Sequence, residues 1–167
     1  MDKEKNILTC KKIAETFELI TEGNMYRCPH CGEWIEDTRE LIQDSKHPAF
    51  TTWEVDENHD EDGRMKCPKC GEWVQFEDYN EDDYAEEVSI FDYIEDNYGI
   101  DVTRQGIETD APIKSVSVCV ACGGPNIYID TKERAVCLYW WSDRAEYPLT
   151  TDACNALEDA IEELAAA

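Results

Sequence analysis

Basic residues are scarce in this sequence. Its 167 residues include 15 lysines and arginines against 39 aspartates and glutamates, which gives a net charge of −24. A surface of this kind repels phosphate groups, so the composition disfavours direct binding to nucleic acid and to anionic membranes. Electrostatic attraction would instead steer the chain toward a basic partner protein.

Long apolar runs are missing as well. No stretch approaches the roughly 20 apolar residues of a membrane span, and the N-terminus leads into an amphipathic segment instead of an apolar signal core. The sequence also lacks a glycine-rich phosphate loop, a nucleophile elbow and a metalloprotease helix. We therefore expect a non-catalytic protein of the cytoplasm, which would be the host cytoplasm if the chain is phage-encoded.

Cysteine, in contrast, is abundant, and four of the nine cysteines lie in two near-copies of one phrase. Both copies read Cys-Pro-x-Cys-Gly-Glu-Trp, beginning at Cys28 and at Cys67. A Cys-x-x-Cys turn places two sulfurs on one side, and two such turns supply the four thiolates of a closed structural zinc site. The sequence therefore predicts one Zn²⁺ ion bound by Cys28, Cys31, Cys67 and Cys70.

These cysteines, with their prolines, glycines and flanking hydrophobic residues, resemble the zinc-ribbon family over residues 25–77. The resemblance implies a structural metal site that takes no part in chemistry. A compact ribbon has about 15–20 residues between its two hooks, whereas residues 32–66 separate them here. We therefore expect an additional element between the knuckles. A redox role is disfavoured because strands, and not a helix, are predicted after each hook.

The apolar periodicity predicts an α+β protein in three parts. Residues 1–78 would contain an N-terminal helix, packed on the ribbon by its apolar stripe, and the split zinc ribbon. Residues 79–112 would form an acidic helical connector, in which Gly99 ends a helix and residues 101–112 form a connection. Residues 113–167 would form a small antiparallel sheet covered by a C-terminal helix.

A third Cys-x-x-Cys, formed by Cys119 and Cys122, also resembles a zinc hook. A second tetrahedral site would need two more ligands, and Cys137 and Cys154 are the cysteines nearby in sequence. Both lie on predicted apolar faces, where a buried thiol is common. A second zinc ion and reduced, buried cysteines therefore remain alternatives.

Zinc-deaminase chemistry is a further alternative, because His59-Asp60-Glu61 precedes the second hook. However, the proline lies inside the hook instead of before it, and a four-thiolate site has no open position for water. Deaminase chemistry is therefore disfavoured.

The tryptophans are candidates for packing and recognition. Trp34 and Trp73 follow the two hooks at equivalent positions and are expected to cover the metal site. Trp140 and Trp141 are adjacent on a predicted strand, so they should face opposite sides of it. One of them is expected in the core, and the other is expected either to be covered by a helix or to be exposed as an anchor for a binding partner.

Acidic residues cluster in three places: Asp56–Asp62, Glu77–Glu87, and the row formed by Asp92, Glu95, Asp96 and Asp101. In size and charge the chain is similar to small acidic phage-encoded inhibitors of bacterial defence nucleases, the anti-CRISPR class among them. The similarity implies a protein that blocks a basic nucleic-acid-binding protein by nucleic-acid mimicry. The alternatives are a zinc-ribbon transcription-related or nucleic-acid-binding adaptor, a structural or assembly protein, and acids that only maintain solubility.

Overall fold

The computed structural model describes residues 3–77, 82–97, 99–106 and 111–166. This part of the chain is mixed α and β, with an N-terminal helix, antiparallel sheets and a C-terminal helix, as predicted. Contacts divide the chain into two compact units. We call Met1–Gly23 with Ser89–Ala167 the sheet unit and Asn24–Val88 the knuckle unit. The sequence predicted three parts with boundaries at residues 78 and 112. Whether these parts fold separately stays a prediction.

The sheet unit is built on five antiparallel strands. They are β8 (Gly99–Arg104), β9 (Ile113–Ala121), β10 (Asn126–Asp130), β11 (Ala135–Trp140) and β12 (Asp143–Pro148), in the order β12-β11-β10-β9-β8. Val118, Ile129 and Val136 lie in one cross-strand row, and all three are fully buried. β-Branched side chains in such a row pack well on a pleated surface, so they form the centre of this core.

Three helices belong to the sheet unit: α1 (Lys3–Thr21), α2 (Ile90–Glu95) and α3 (Thr151–Ala166). The stripe of α1, including Cys10, Ala14 and Phe17, is buried. Its packing partners within the sheet unit are β11, β12 and α3, whereas the sequence predicted packing on the ribbon. Among the helices in the described residues, none is long and apolar enough to cross a membrane.

The segment predicted as a helical connector differs from the expectation. Helix α2 begins after a capping box between Ser89 and Asp92 and already ends at Glu95. Gly99, expected to stop the helix, opens strand β8 instead, and β8 pairs with β9 along its length. The five-stranded sheet therefore begins well before the predicted boundary at residue 113. Tyr98 and residues 107–110 lie outside the described residues.

The knuckle unit contains short strands around its two hooks. β1 (Met25–Arg27) and β2 (Trp34–Glu36) flank the first hook, and β5 (Met65–Lys66) and β6 (Trp73–Val74) flank the second. The expected insertion is a hairpin of β3 (Leu41–Gln43) and β4 (Thr51–Trp53). Strand β7 (Glu86–Glu87) pairs with β1, so this end of the acidic run is neither a linker nor a helix. Residues 78–81 of that run lie outside the described residues.

Candidate metal centre

The two knuckles have the same backbone structure. In the first, the Cys28 N–H donates to the Glu33 carbonyl at 3.0 Å and the Gly32 N–H donates to the Cys28 carbonyl at 2.9 Å. The glycine has φ of +74°, a conformation that residues with a side chain rarely adopt. The second knuckle repeats both bonds at 2.8 Å, from Cys67 to Glu72 and from Gly71 to Cys67, and Gly71 has φ of +81°.

The knuckles bring four sulfur atoms together. The Sγ atoms of Cys28 and Cys70 are 3.8 Å apart, as are those of Cys31 and Cys67, and all four lie within 4.8 Å of one another. A tetrahedral zinc ion with Zn–S bonds of about 2.3 Å would separate its sulfurs by about 3.8 Å. The four predicted ligands can therefore hold one metal ion, and their geometry and chemistry are compatible with Zn²⁺.

The buried sulfurs of the cluster ionise differently. Burial raises the pKa of the Cys28 thiol to about 12. Burial also opposes ionisation of Cys67, but hydrogen bonds from the backbone of Cys70 and Lys69 outweigh it and lower the Cys67 pKa to about 7. Four adjacent thiolates repel one another, so a bound cation is what would favour their joint ionisation.

Hydrophobic residues pack around the first cysteine of each hook. Ile35 and Val74, one position after each hook tryptophan, are buried in one cluster with Cys28 and Cys67. The tryptophans themselves are half-buried. The cationic group of Lys66 lies 5.0 Å from the centroid of the Trp73 ring, within the range of a cation–π contact. That the two tryptophans cover the metal site stays a prediction.

His30 joins the two knuckles. It is exposed, as expected for the variable position of a hook, but its Nε2 lies 3.1 Å from the Trp73 carbonyl and 3.4 Å from Asp83 Oδ1. The first hook is therefore tied to the strand that follows the second hook. The sequence could not show this bond, because 43 residues separate the partners.

His59 is occupied by bonds away from the sulfurs. Its Nδ1 lies 2.8 Å from Asp56 Oδ1 and its Nε2 lies 2.9 Å from the Thr38 hydroxyl. Both ring nitrogens therefore have partners that fix the ring, and His59 is not a member of the sulfur cluster. The bonds join the segment after β2 to the loop before β5.

The third Cys-x-x-Cys has a different state. Cys119 and Cys122 form a disulfide at the end of β9, while Cys137 and Cys154 are free and buried. Burial raises the pKa of both free thiols, so they stay protonated at neutral pH. With the disulfide present, this pair does not offer thiolates to a metal ion.

Trp140 is the last residue of β11 and is half-buried, whereas Trp141 lies beyond the strand. The prediction that the two are strand neighbours facing opposite sides, with one in the core, is therefore wrong. Trp140 lies directly over Gly124, where an added Cβ would come within 2.8 Å of its ring. Trp141 occupies the turn between β11 and β12 with φ of +55°, and 95% of it is exposed. A bulky residue in this conformation is unusual and strained.

Comparisons with known proteins give no relative from which a function could be transferred. No family model, no curated protein and no solved structure matches this chain. The likeness to zinc ribbons therefore consists of the two hooks, their glycine turns and the geometry of four sulfurs.

Proposed function

We propose that Cys28, Cys31, Cys67 and Cys70 bind one structural Zn²⁺ ion in a non-catalytic protein that binds and blocks a basic nucleic-acid-binding protein. The net charge of −24 carries the proposal, because many of its carboxylates lie on the described helices, strands and hydrogen-bonded loops. The metal would hold the knuckle unit in shape, and the exposed carboxylates would stand where a partner binds nucleic-acid phosphates.

The acidic loop between β4 and β5 supports this use. Asp56 accepts hydrogen bonds from the backbone of Asn58 and His59 at 2.6 and 2.8 Å. Asp60 accepts from the Arg64 backbone at 2.9 Å and from its side chain at 2.6 Å. These two carboxylates fold the loop, while other acids of the run, such as Glu57, are exposed. The loop therefore presents negative charge at defined positions.

In the acidic row that begins at Asp92, one carboxylate likewise forms part of the structure and the others are exposed. The Asp92 carboxylate accepts from the Ser89 backbone at 2.8 Å and starts α2. Glu95, Asp96 and Asp101 are exposed. Because duplex DNA presents one charge per about 1.7 Å of its axis, a protein needs closely spaced carboxylates to compete with it.

Binding to basic nucleases tests the proposal. We expect the protein to inhibit at least one member of a panel of purified bacterial defence nucleases, including RNA-guided nucleases, and DNA to compete with it. Binding should weaken as salt rises toward about 0.5 M, where the Debye length is only several ångströms. Polyglutamate of equal charge is the control, and equal inhibition by it would contradict binding through a defined surface.

A second assay separates the adaptor alternative. A nucleic-acid-binding adaptor should shift labelled DNA or RNA by itself in a gel, whereas the proposed inhibitor should not. A shift at physiological salt, together with no inhibition of any nuclease in the panel, would favour the adaptor.

The number of metal ions bound per chain tests the proposed zinc site. Native mass spectrometry with elemental analysis should give one zinc ion per chain. Two ions after reduction of the Cys119–Cys122 disulfide would instead establish the second site that the sequence left open.

A further inference from the structure

The hairpin between the two knuckles exposes an apolar surface. Leu41, Ile42, Phe50 and Val55 are between 40% and 67% exposed, and all lie within one short segment. Clustered exposed apolar side chains mark interaction sites more often than isolated ones do. A strongly charged chain therefore has one segment whose chemistry suits contact with another protein.

The hairpin is held in place by its inner side. The Arg39 guanidinium lies 4.5 Å from the ring centroid of Trp53 and 3.9 Å from that of Phe76. It also donates to Asp37 at 2.8 and 2.9 Å and to the Gly63 carbonyl at 2.9 Å. One buried cation thus fixes β4 against the rest of the knuckle unit. The exposed apolar side chains therefore belong to an ordered element.

Strand alternation puts three cross-strand pairs on the opposite side of the hairpin. Ile42 lies opposite Thr52, and backbone bonds of 2.9 Å join the neighbouring pairs on either side. We call this side the outer face, and its pairs are Glu40 with Glu54, Ile42 with Thr52, and Asp44 with Phe50. The outer face thus mixes apolar and acidic side chains and lacks a basic one.

Glu40 and Glu54 are like charges opposite each other. The Glu54 N–H donates to the Glu40 carbonyl at 2.9 Å, and both residues are exposed. Within the described part of the chain, no lysine, arginine or histidine forms an ion pair with either carboxylate. Like charges in this arrangement destabilise a strand pair, so a cation placed between them would be favoured.

The hairpin also has free edges. As far as the described residues show, the β3–β4 sheet consists of two strands, so each strand has one side without a strand neighbour. Such an edge can accept an extended peptide as an additional strand. A second copy of this chain is disfavoured as the occupant, because its own charge of −24 would repel the acidic outer face.

We propose that the outer face of the β3–β4 hairpin binds an extended segment of a partner protein in which basic and apolar side chains lie two residues apart, so that both point toward the hairpin. A lysine or arginine lies between Glu40 and Glu54, and an apolar side chain covers Ile42 and Phe50. The inference rests on the proposed function, because it names the part of the basic partner that this protein recognises.

Two peptides with equal charge test the proposal. One blocked octapeptide, the lysine–valine peptide, reads Lys-Ser-Val-Ser-Lys-Ser-Val-Ser and places lysine and valine on one face. The other, the lysine–serine peptide, has serine in place of both valines. Fluorescence anisotropy should show the lysine–valine peptide binding about ten-fold more tightly, since buried apolar side chains contribute on this scale. Equal affinities, or no binding of the lysine–valine peptide, would overturn the proposal.

Variants of the outer face assign the contact. Ile42→Ser with Phe50→Ser should abolish the preference for valine, and Glu40→Gln with Glu54→Gln should weaken binding of both peptides and its salt dependence. The control outside the hairpin is Glu163→Gln with Leu164→Ser on α3, which removes one residue of each kind, an exposed acid and an exposed apolar side chain. An equal loss in this control, or no loss in the hairpin variants, would contradict the assignment. Zinc content and melting temperature establish that each variant is folded.

Three further outcomes separate this inference from its alternatives. If sedimentation shows a dimer that Phe50→Ser dissociates, the occupant is a second copy and the proposal is wrong. If a nuclease is inhibited but the Ile42→Ser, Phe50→Ser variant inhibits it equally well, the docking surface is wrong while the proposed function stands. If the peptide preference holds but no nuclease is inhibited, the surface stands and the proposed function fails.

Discussion

At the scale of single residues, the four cysteines of the metal centre have unequal surroundings. Cys28 and Cys67 are buried, whereas Cys31 and Cys70 are exposed. The first cysteine of each hook therefore belongs to the core of the knuckle unit as well as to the sulfur cluster. Replacing such a residue affects packing and coordination together.

We predict that Cys67→Ser loses the bound metal and unfolds the knuckle unit, because the affinity of a structural zinc site is itself folding free energy. Elemental analysis and thermal denaturation measure the two effects. Cys154→Ala is the control, since it removes a buried thiol of the sheet unit and should leave the zinc content unchanged. A Cys67→Ser protein with unaltered zinc content and melting temperature would show that the site is not a zinc site.

We predict that the protein loses stability at alkaline pH because the Cys10 thiol is buried. Burial, and then the neighbouring Cys137 thiol, raise the Cys10 pKa from its ordinary 9.0 to about 11. The unfolded thiol ionises near pH 9 while the folded one stays protonated, so stability is full below pH 9 and falls as pH rises toward 11. The loss of unfolding free energy from this group is at most about 3 kcal/mol.

Denaturant titrations between pH 8 and pH 11 measure this effect. The wild-type protein should lose more free energy of unfolding across that range than Cys10→Ala does. The difference between the two proteins isolates Cys10, since Cys137 and Cys154 contribute in the same direction in both. Parallel pH profiles for the two proteins would rule out the assignment to Cys10.

At the scale of elements, the inserted hairpin depends on a glycine. Gly63 has φ of +75°, and a Cβ there would lie 2.5 Å from Nε1 of Trp53. Gly32 has nearly the same φ, +74°, but nothing within 4 Å of an added Cβ. The two positions therefore share a left-handed backbone conformation but differ in the space available for an added side chain.

We predict that Gly63→Ala destabilises the protein more than Gly32→Ala does. Each substitution should cost about 1 kcal/mol for the left-handed backbone, and overpacking against Trp53 should add about 1–3 kcal/mol at Gly63. Chemical denaturation of both variants measures the difference. Equal losses would mean that Trp53 moves away freely and that the hairpin is not held by this contact.

Local patterns determined which elements could be predicted. The knuckles follow from spacing and glycine within a few residues, and the strands from residue 113 onward from alternating apolar residues. The segment Asp37–Gln43 instead carries a helix-capping pattern, but Asp37 binds Arg39, and Leu41–Gln43 form β3. Strands β7 and β8 are polar and mostly exposed, so only their pairing, β7 with the distant β1 and β8 with the next strand β9, reveals them.

At the scale of the whole molecule, each compact unit has its own stabilisation. The knuckle unit has strands of two or three residues, too short to be stable alone, around the four sulfurs. The sheet unit has a row of fully buried aliphatic residues across longer strands. The sequence predicted both the sulfur cluster and the buried strands of the sheet. It did not predict that α1 packs on that sheet, because the contact joins distant parts of the chain.

Metal removal should therefore affect the two units differently. We predict that a zinc chelator increases amide hydrogen exchange throughout residues 24–88 and leaves the exchange of β9, β10 and β11 nearly unchanged. Hydrogen exchange followed by mass spectrometry measures both regions in one sample, with zinc re-addition as the control. Loss of protection in both units together would show that they unfold as one, and no change in either would show that the ion is not structural.

The exposed ring of Trp141 has an optical consequence. A tryptophan that water surrounds almost completely emits at long wavelength and is readily quenched by acrylamide, unlike a ring packed as Trp140 is over Gly124. Acrylamide will therefore quench Trp141 more readily than the other four tryptophans, which are half-buried. A partner that covers this turn will shift the emission of Trp141 to shorter wavelength. The fluorescence of Trp141 therefore reports binding at that end of the sheet.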